Sequence, residues 1–372
     1  MLRPAASDTF APYEPGSPLM KQSPRLRLAG VAALVGGLAA AAAPGYGQQL
    51  PAPLARFLQH SIGLDSTQVA VVERGAAVVK VLETENKRDV AVFGIITADV
   101  PREVYVQRLR DFRSSLRRPT RVRFGIFSDP PTAADVEGLI VDIPDLSEVR
   151  DCRPGDCKIK LPATEMKRLR EEIDWSGADP QGQVNAYARQ RLLEYVSDYR
   201  ARGDTAMVVY DDRGNVRASD AFAALLGQSP YVYEYVPSFQ TYLATYPRGR
   251  LGDVAEVLYW SEDALPKLKP ILSVTHLAVY APPELSGATL VAEKQIYADH
   301  YFEAAFSLMA VADRASAPKP GIYLVLLRRF RFDNMPSGRI INIRGKVVGK
   351  LRDQMRVDLE REKAISEGAL GR

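Results

Sequence analysis

Apolar positions recur along this chain at two spacings, one suited to strands and one to helices. Near the C-terminal end three runs alternate or stay apolar for the length of a long strand: Thr289 to Tyr297, Phe302 to Ala312 and Ile322 to Phe332. A fourth precedes them within Lys267 to Ala281. There Ile271, Ser273, Thr275, Leu277 and Val279 share one face, Leu272, Val274, His276, Ala278 and Tyr280 share the other, and Pro282-Pro283 ends the run. Glu256 to Trp260 leads into it. Consecutive long strands with short connections predict an antiparallel meander. After Met335-Pro336-Ser337-Gly338 the spacing changes. Ile343, Val347, Val348, Leu351, Met355 and Leu359 fall on one stripe, predicting a helix from Asn342 to Glu367 with a basic outer face.

Upstream, Pro51 to His60 and Ser66 to Arg74 read as short helices, the second capped by Asp65 or Ser66. Ala76 to Glu83 and Asp89 to Thr97 read as an antiparallel pair turned at Glu85 to Arg88. Asp99, Pro101 and Glu103 open a helix whose face is Val104, Tyr105, Leu109 and Phe112; proline in a first turn loses no needed N–H, and an acid suits the positive end of the helix dipole. From Leu116 to about Gly252 the pattern is interrupted. Short strands are expected at Arg121 to Phe127, Gly138 to Asp142 and Ala206 to Tyr210, and helices at Pro162 to Ile173, Pro180 to Arg202, Ala221 to Leu226 and Val236 to Tyr246. Tyr231, Tyr233, Tyr235, Phe239, Tyr242 and Tyr246 crowd one stretch of this span, which suits packing onto the main domain, the rim of a ligand mouth or a sugar-stacking surface.

The expected fold is therefore α+β: a curved antiparallel sheet closed by a long C-terminal helix, with a large, mostly helical insertion. Residues 48–114 and 253–368 would form the main domain, 115–252 the insertion, and 1–47 an N-terminal extension. "ADVPREVYVQRLRDF" after a strand, and "PGIYLVLLRRFRFDNMPSGRI" before a basic amphipathic helix, resemble the first strand–helix step and the last strand–helix step of START-like, Bet v 1-like helix-grip domains. That resemblance is one of element order over residues 75–114 and 255–367, and it implies a ligand cavity between the sheet and the last helix. Phe124 to Leu161 resembles exported bacterial proteins, a similarity that carries no activity with it.

Composition changes this picture at the N-terminus. Lys21, Arg25 and Arg27 precede an apolar and small run, Leu28 to Ala43, and Pro44 to Gly47 supplies small residues for cleavage. An export signal ending near Gly47 follows, with a periplasmic or secreted mature protein; a retained anchor is the other reading, and Met20 is an alternative start. Residues 1–47 hold four basic and two acidic residues; of the chain's 49 and 45, 45 and 43 remain, a balance of +2. That gives no electrostatic basis for nucleic-acid binding. Cys152 and Cys157 flank Pro154-Gly155, a turn that brings them together, and export favours a disulfide over a free or redox pair.

No catalytic signature is present: no G-x-S-x-G, H-E-x-x-H, phosphate-binding loop or dinucleotide glycine pattern. His276 reads as a buried strand histidine or a general base, and Asp299, His300 and Glu303 as turn residues or a carboxylate pair. Arg328 alternates with Leu324, Leu326 and Phe330, so its guanidinium requires a partner: an interior acid, or the head group of an anionic ligand. The expected function is binding of a lipid or other hydrophobic molecule, with Arg328, His276, Tyr297, Phe306, Val347, Leu351 and Met355 lining the cavity. A sixteen-carbon chain would gain on the order of 12 kcal/mol before ordering costs. The alternatives are a non-catalytic envelope structural or interaction protein with a filled core, and a hydrolase or cyclase using His276. No cofactor or metal is called for; peripheral contact with a membrane is compatible with the ligand class.

Overall fold

The computed structural model describes residues 50–141, 143–264, 268–314, 320–335 and 343–368. The expected export signal and the alternative starts lie outside them. Helix α1 (Ala52–Arg56) runs into a π-helical turn (Phe57–Ile62), and α2 (Ser66–Glu73) follows, closed at its start by a reciprocal Asp65–Gln68 capping box. Strands β1 (Val78–Leu82) and β2 (Asp89–Ala98) form the predicted hairpin, and α3 (Arg102–Arg110) and α4 (Phe112–Ser115) succeed it. Then come β3 (Arg121–Ile126), α5 (Ile143–Asp151), α6 (Ala163–Glu172) and α7 (Pro180–Arg202). The two-residue strands β4 (Val209–Tyr210) and β5 (Val216–Arg217) lead to α8 (Ala218–Gly227), α9 (Pro230–Tyr235) and α10 (Pro237–Thr245). Strands β6 (Ala255–Asp263), β7 (Ile271–Tyr280), β8 (Ala288–Ala298), β9 (Phe302–Arg314) and β10 (Gly321–Phe332) complete the meander, and α11 (Ile343–Ser366) ends the fold.

The fold is α+β. One antiparallel sheet of eight strands runs in the order β1-β2-β10-β9-β8-β7-β6-β3. The last meander strand therefore closes on the first hairpin, with Leu324 opposite Ile96 on β2 and Val311 on β9. β3 joins this sheet at its far edge, pairing with β6, although it lies inside the span expected to be an insertion. Gly138 to Val141 is not a strand, and α5 and α9 occupy stretches where no helix was expected. Cys152 and Cys157 are disulfide-bonded, and backbone N–H groups of Gly155 and Cys157 donate to the carbonyls of Asp211 and Asp212.

Helices cover both faces of the sheet. α11 packs mainly on β1 and β2, where Met355 and Leu359 are buried against Val90, Val92, Ile96 and Leu324. Gly94 makes this approach possible, since a Cβ there would meet Leu359 Cδ1 at 2.6 Å and Met355 Cγ at 2.9 Å. The helix thus lies along one side of the sheet, over β1 and β2, and does not cross its whole face. α3 and α4 cover the neighbouring part, with Leu109, Phe112 and Leu116 against Leu277, Val279 and Val291. Arg102 fixes α3 by donating to Asp313 (3.0 Å) and Thr289 (3.2 Å). The opposite face carries α7, α8 and α10 over a large apolar cluster that includes Phe93, Phe222, Phe239 and Phe306.

Candidate functional site

Burial along the central strands separates the two faces. On β8 and β9, Ala292, Lys294, Ile296, Ala304 and Phe306 point toward α7, α8 and α10 and are buried. Their neighbours Glu293, Gln295, Ala305, Ser307 and Met309 point toward the α11 side and are only half-buried. The same alternation continues on β10, where Arg329 is buried while Arg328 and Phe330 are not. In the middle of an eight-stranded sheet, that much accessible surface marks a face covered less completely than the other. The open strip lies beside α11.

The predicted lining residues divide between these faces. Arg328, Leu351 and Met355 lie on the α11 side, with Leu351 and Val348 packed at the edge of the helix–sheet cluster and Val347 half-buried on the same helix. His276, Tyr297 and Phe306 lie on the other face, against the inserted helices: Phe306 meets Phe222, and Tyr297 meets Tyr195 and Tyr210. These seven residues cannot line one cavity, because the sheet stands between the two groups.

The strip on the α11 side is polar at its centre. Glu293 accepts from Arg118 (3.3 Å) and from the Tyr259 hydroxyl (3.3 Å). Burial works against its ionisation, but Arg118, Arg121 and Arg328 outweigh it and hold the carboxyl below the usual range. Arg121 donates through Nε and Nη2 to Asp263, both at 3.3 Å, and through Nη1 to the Leu116 carbonyl. Arg328 pairs with Asp358 of α11, which Gln354 also contacts at 2.8 Å. Each of the three guanidinium groups thus has one carboxylate, so the strip presents both signs with no net charge. At its lower end Phe302, Phe330 and Phe332 form an aromatic shelf, with ring centroids 5.0 to 6.3 Å apart. Sequence reasoning singled out Arg328 but missed Glu293, Gln295, Ser307, Arg118 and Arg121. The alternation of β8 and β9 contained the signal, because polar residues at every second position of a central strand mark an uncovered face.

His276, the one histidine with a catalytic reading, is enclosed. The Tyr199 hydroxyl lies 3.1 Å from Nδ1 and the Tyr242 hydroxyl 3.0 Å from Nε2, and Tyr242 in turn donates to Glu256. That network fits the neutral tautomer protonated on Nε2, which donates to Tyr242. Burial lowers the imidazole pKa, against the pull of Glu256. Beside it Lys294, also lowered by burial, is held by Asp204 and by the Leu243 carbonyl (3.0 Å). Of the aromatic stretch, Tyr231, Phe239 and Tyr242 are buried, so those side chains pack the inserted helices onto the sheet.

No protein-family model matches the chain, and no curated protein matches it.

One set of donors in the described residues has metal-like geometry. Single ligand atoms of Asp145, Asp299 and His300 lie within 4.8 Å of one another. His300 Nδ1 faces the Lys158 carbonyl at 3.2 Å, leaving Nε2 toward Asp145 Oδ2 at 3.5 Å. Burial pushes the Asp299 carboxyl up to about 7, and Lys269 Nζ sits 2.9 Å from Asp145 Oδ1. With Lys269 supplying positive charge, the cluster is already compensated as an ionic tie between α5 and the β8–β9 turn.

Proposed function

We propose that this is an exported, non-catalytic binding protein that holds one amphiphilic small molecule in the strip between α11 and the sheet. The observation that carries the reading is the half-buried row of polar side chains on central strands, Glu293, Gln295, Ser307 and Arg328, bordered by the Phe302–Phe330–Phe332 shelf. A polar head group without net charge meets both signs over β8 to β10, and the apolar part lies along the shelf toward Val348 and Leu351 of α11. This narrows the expected ligand. A wholly apolar lipid would strip water from the Arg118–Glu293 and Arg328–Asp358 pairs and offer them no hydrogen bonds in return; the head group of an amphiphile can supply them.

Three further observations support the reading. The order of strands and the closing helix agree with the helix-grip resemblance, whose ligands lie on this same side of the sheet. The basic and apolar N-terminal segment fits export, and the Cys152–Cys157 disulfide fits an oxidising compartment. The enclosure of His276 by two tyrosines removes the strongest candidate for a general base from solvent.

Native mass spectrometry of the purified full chain, with a denaturing extraction in parallel, tests this. We expect an adduct of one amphiphile per chain that is released on unfolding. Identical native and denatured masses with an empty extract would favour the filled-core interaction protein instead.

A further inference from the structure

The second inference concerns the opposite face and does not depend on the first. β10 carries Arg328, Arg329 and Arg331, and the structure provides a carboxylate for two of them. Arg328 has Asp358, and Arg331 holds Asp89 in a two-pronged pair at 2.8 and 2.8 Å. Arg88 on the adjoining turn has Glu303. Arg329 has none: among the described residues no carboxylate oxygen lies within 4.0 Å of its nitrogens. Yet Arg329 is only 5% exposed, and its Nε has no hydrogen-bond partner at all. Its other two contacts are long, Nη1 to Gln228 Oε1 at 3.4 Å and Nη2 to the Tyr231 hydroxyl at 3.5 Å.

A lysine in this position could shed its proton, but a guanidinium does not. A buried cation that keeps its charge must be matched, and polar contacts at the limit of hydrogen-bonding distance do not match it. The acids close by are already engaged. Asp89 accepts from Arg331 and from Gln228 Nε2 at 2.7 Å, and Arg88 holds Glu303. Burial works against ionisation of Asp89, but the hydrogen bonds from Arg331 and Gln228 and the nearby arginine charges outweigh it and lower its pKa. Arg88, Arg329 and Arg331 therefore face two carboxylates, leaving one positive charge over.

The surroundings supply what an anion would need. Gln228 and Ser229 sit on the turn between α8 and α9 and Tyr231 in the first turn of α9, its hydroxyl donating to Ser229 Oγ at 3.2 Å. Tyr231 lies edge-on to Phe57 at 5.1 Å, and Phe57 also meets Tyr235. Gln228, Phe57 and Tyr235 are half-buried beside these polar atoms. Arg329 Nε is the free edge of a planar fork, which is the geometry that takes a carboxylate or an oxyanion.

We propose that Arg329, with Gln228, Ser229 and Tyr231, forms a buried binding site for one compact anion, either an inorganic ion or the carboxylate of a small organic molecule. Occupancy would clamp the α8–α9 turn onto β10.

The test uses the full chain. Thermal unfolding is followed at constant ionic strength while gluconate, too large for the site, is replaced by chloride, bromide, acetate or phosphate. A saturable rise in Tm of about 3–5 °C is expected for at least one compact anion at roughly 100 times its Kd. Arg329→Met should fold and lose that rise; Arg329→Lys, which keeps the charge but not the Nε edge, should lose most of it. Crystals grown with bromide should show an anomalous peak at the Arg329 guanidinium, an observation that needs no variant. A carboxylate recovered by denaturing extraction at one per chain would identify an organic occupant, whereas a bromide peak with an empty extract would identify an exchangeable inorganic one. A Tm indifferent to the anion with neither peak nor carboxylate, or an equal rise in Arg329→Met, would overturn the proposal.

Discussion

The two faces of the sheet are built from the same strands and covered in different ways. On one, α7, α8 and α10 bury aromatic side chains against β7 to β10, and His276 and Lys294 are sealed with their partners. On the other, α11 lies along β1 and β2, α3 and α4 cover the neighbouring part, and polar side chains of β8 and β9 stay half-buried between them. The difference shows how one sheet can be sealed by aromatic packing on one side and keep polar side chains half-buried on the other. It also shows where the long insertion acts: it shields the face that in a simpler sheet–helix fold would meet water.

Breaking the covered face should cost most. Phe222 is fully buried and meets Phe306 edge-on at 5.8 Å, joining α8 to β9. Phe222→Ala should lower unfolding free energy by about 3–5 kcal/mol in a denaturant titration. Disturbing the α11 contact should cost less. Gly94→Val places atoms where Leu359 and Met355 already lie, and a loss of roughly 1–3 kcal/mol is expected, read in the same way.

Acid should separate the faces further, because their key groups titrate in different windows. The His276 pKa is depressed in the folded protein, so the unfolded chain binds more protons just below the ordinary value of 6.5. Stability is then lost as pH falls below 6.5 toward the folded value. The Glu293 pKa is also depressed, so its contribution is present above 4.5 and lost as pH falls through the folded value below that. Compared with wild type, His276→Gln should remove the loss below 6.5 and Glu293→Gln the loss below 4.5, each read as a difference curve because Asp299, raised to about 7 by burial, adds the opposite slope.

The smallest effect belongs to the open strip. Ser307→Ala should alter unfolding free energy by no more than about 0.5 kcal/mol, since Ser307 is half-buried on the strip and its substitution removes one hydroxyl. A loss above that would mean this face is as solidly covered as the other.

Much of the fold was legible because strong periodicity marked it. α7 begins and ends at the expected residues, and β8 to β10 differ from expectation by one or two residues at their ends. β2 and β7 are buried along nearly their whole length because both faces are covered there, which their spacing alone does not show. What escaped was information the chain order does not carry. "YVYEY" looks strand-like, yet Pro230 at its first position starts the short helix α9. That β3 pairs with β6 depends on a return of the chain after more than a hundred residues. The site was half legible. Arg328 was read as needing an ion-pair partner, and Asp358 provides one, but assigning His276, Tyr297 and Phe306 to the same cavity required knowing which face α11 covers.

The account is tested most directly by titrating the wild-type chain and Ser307→Trp with a single-chain phosphocholine amphiphile, kept below its micelle threshold and followed calorimetrically. One molecule should bind per wild-type chain, and the tryptophan, set into the strip between α11 and β8, should abolish binding while leaving the protein folded. Equal binding by both proteins, or by neither, would contradict it.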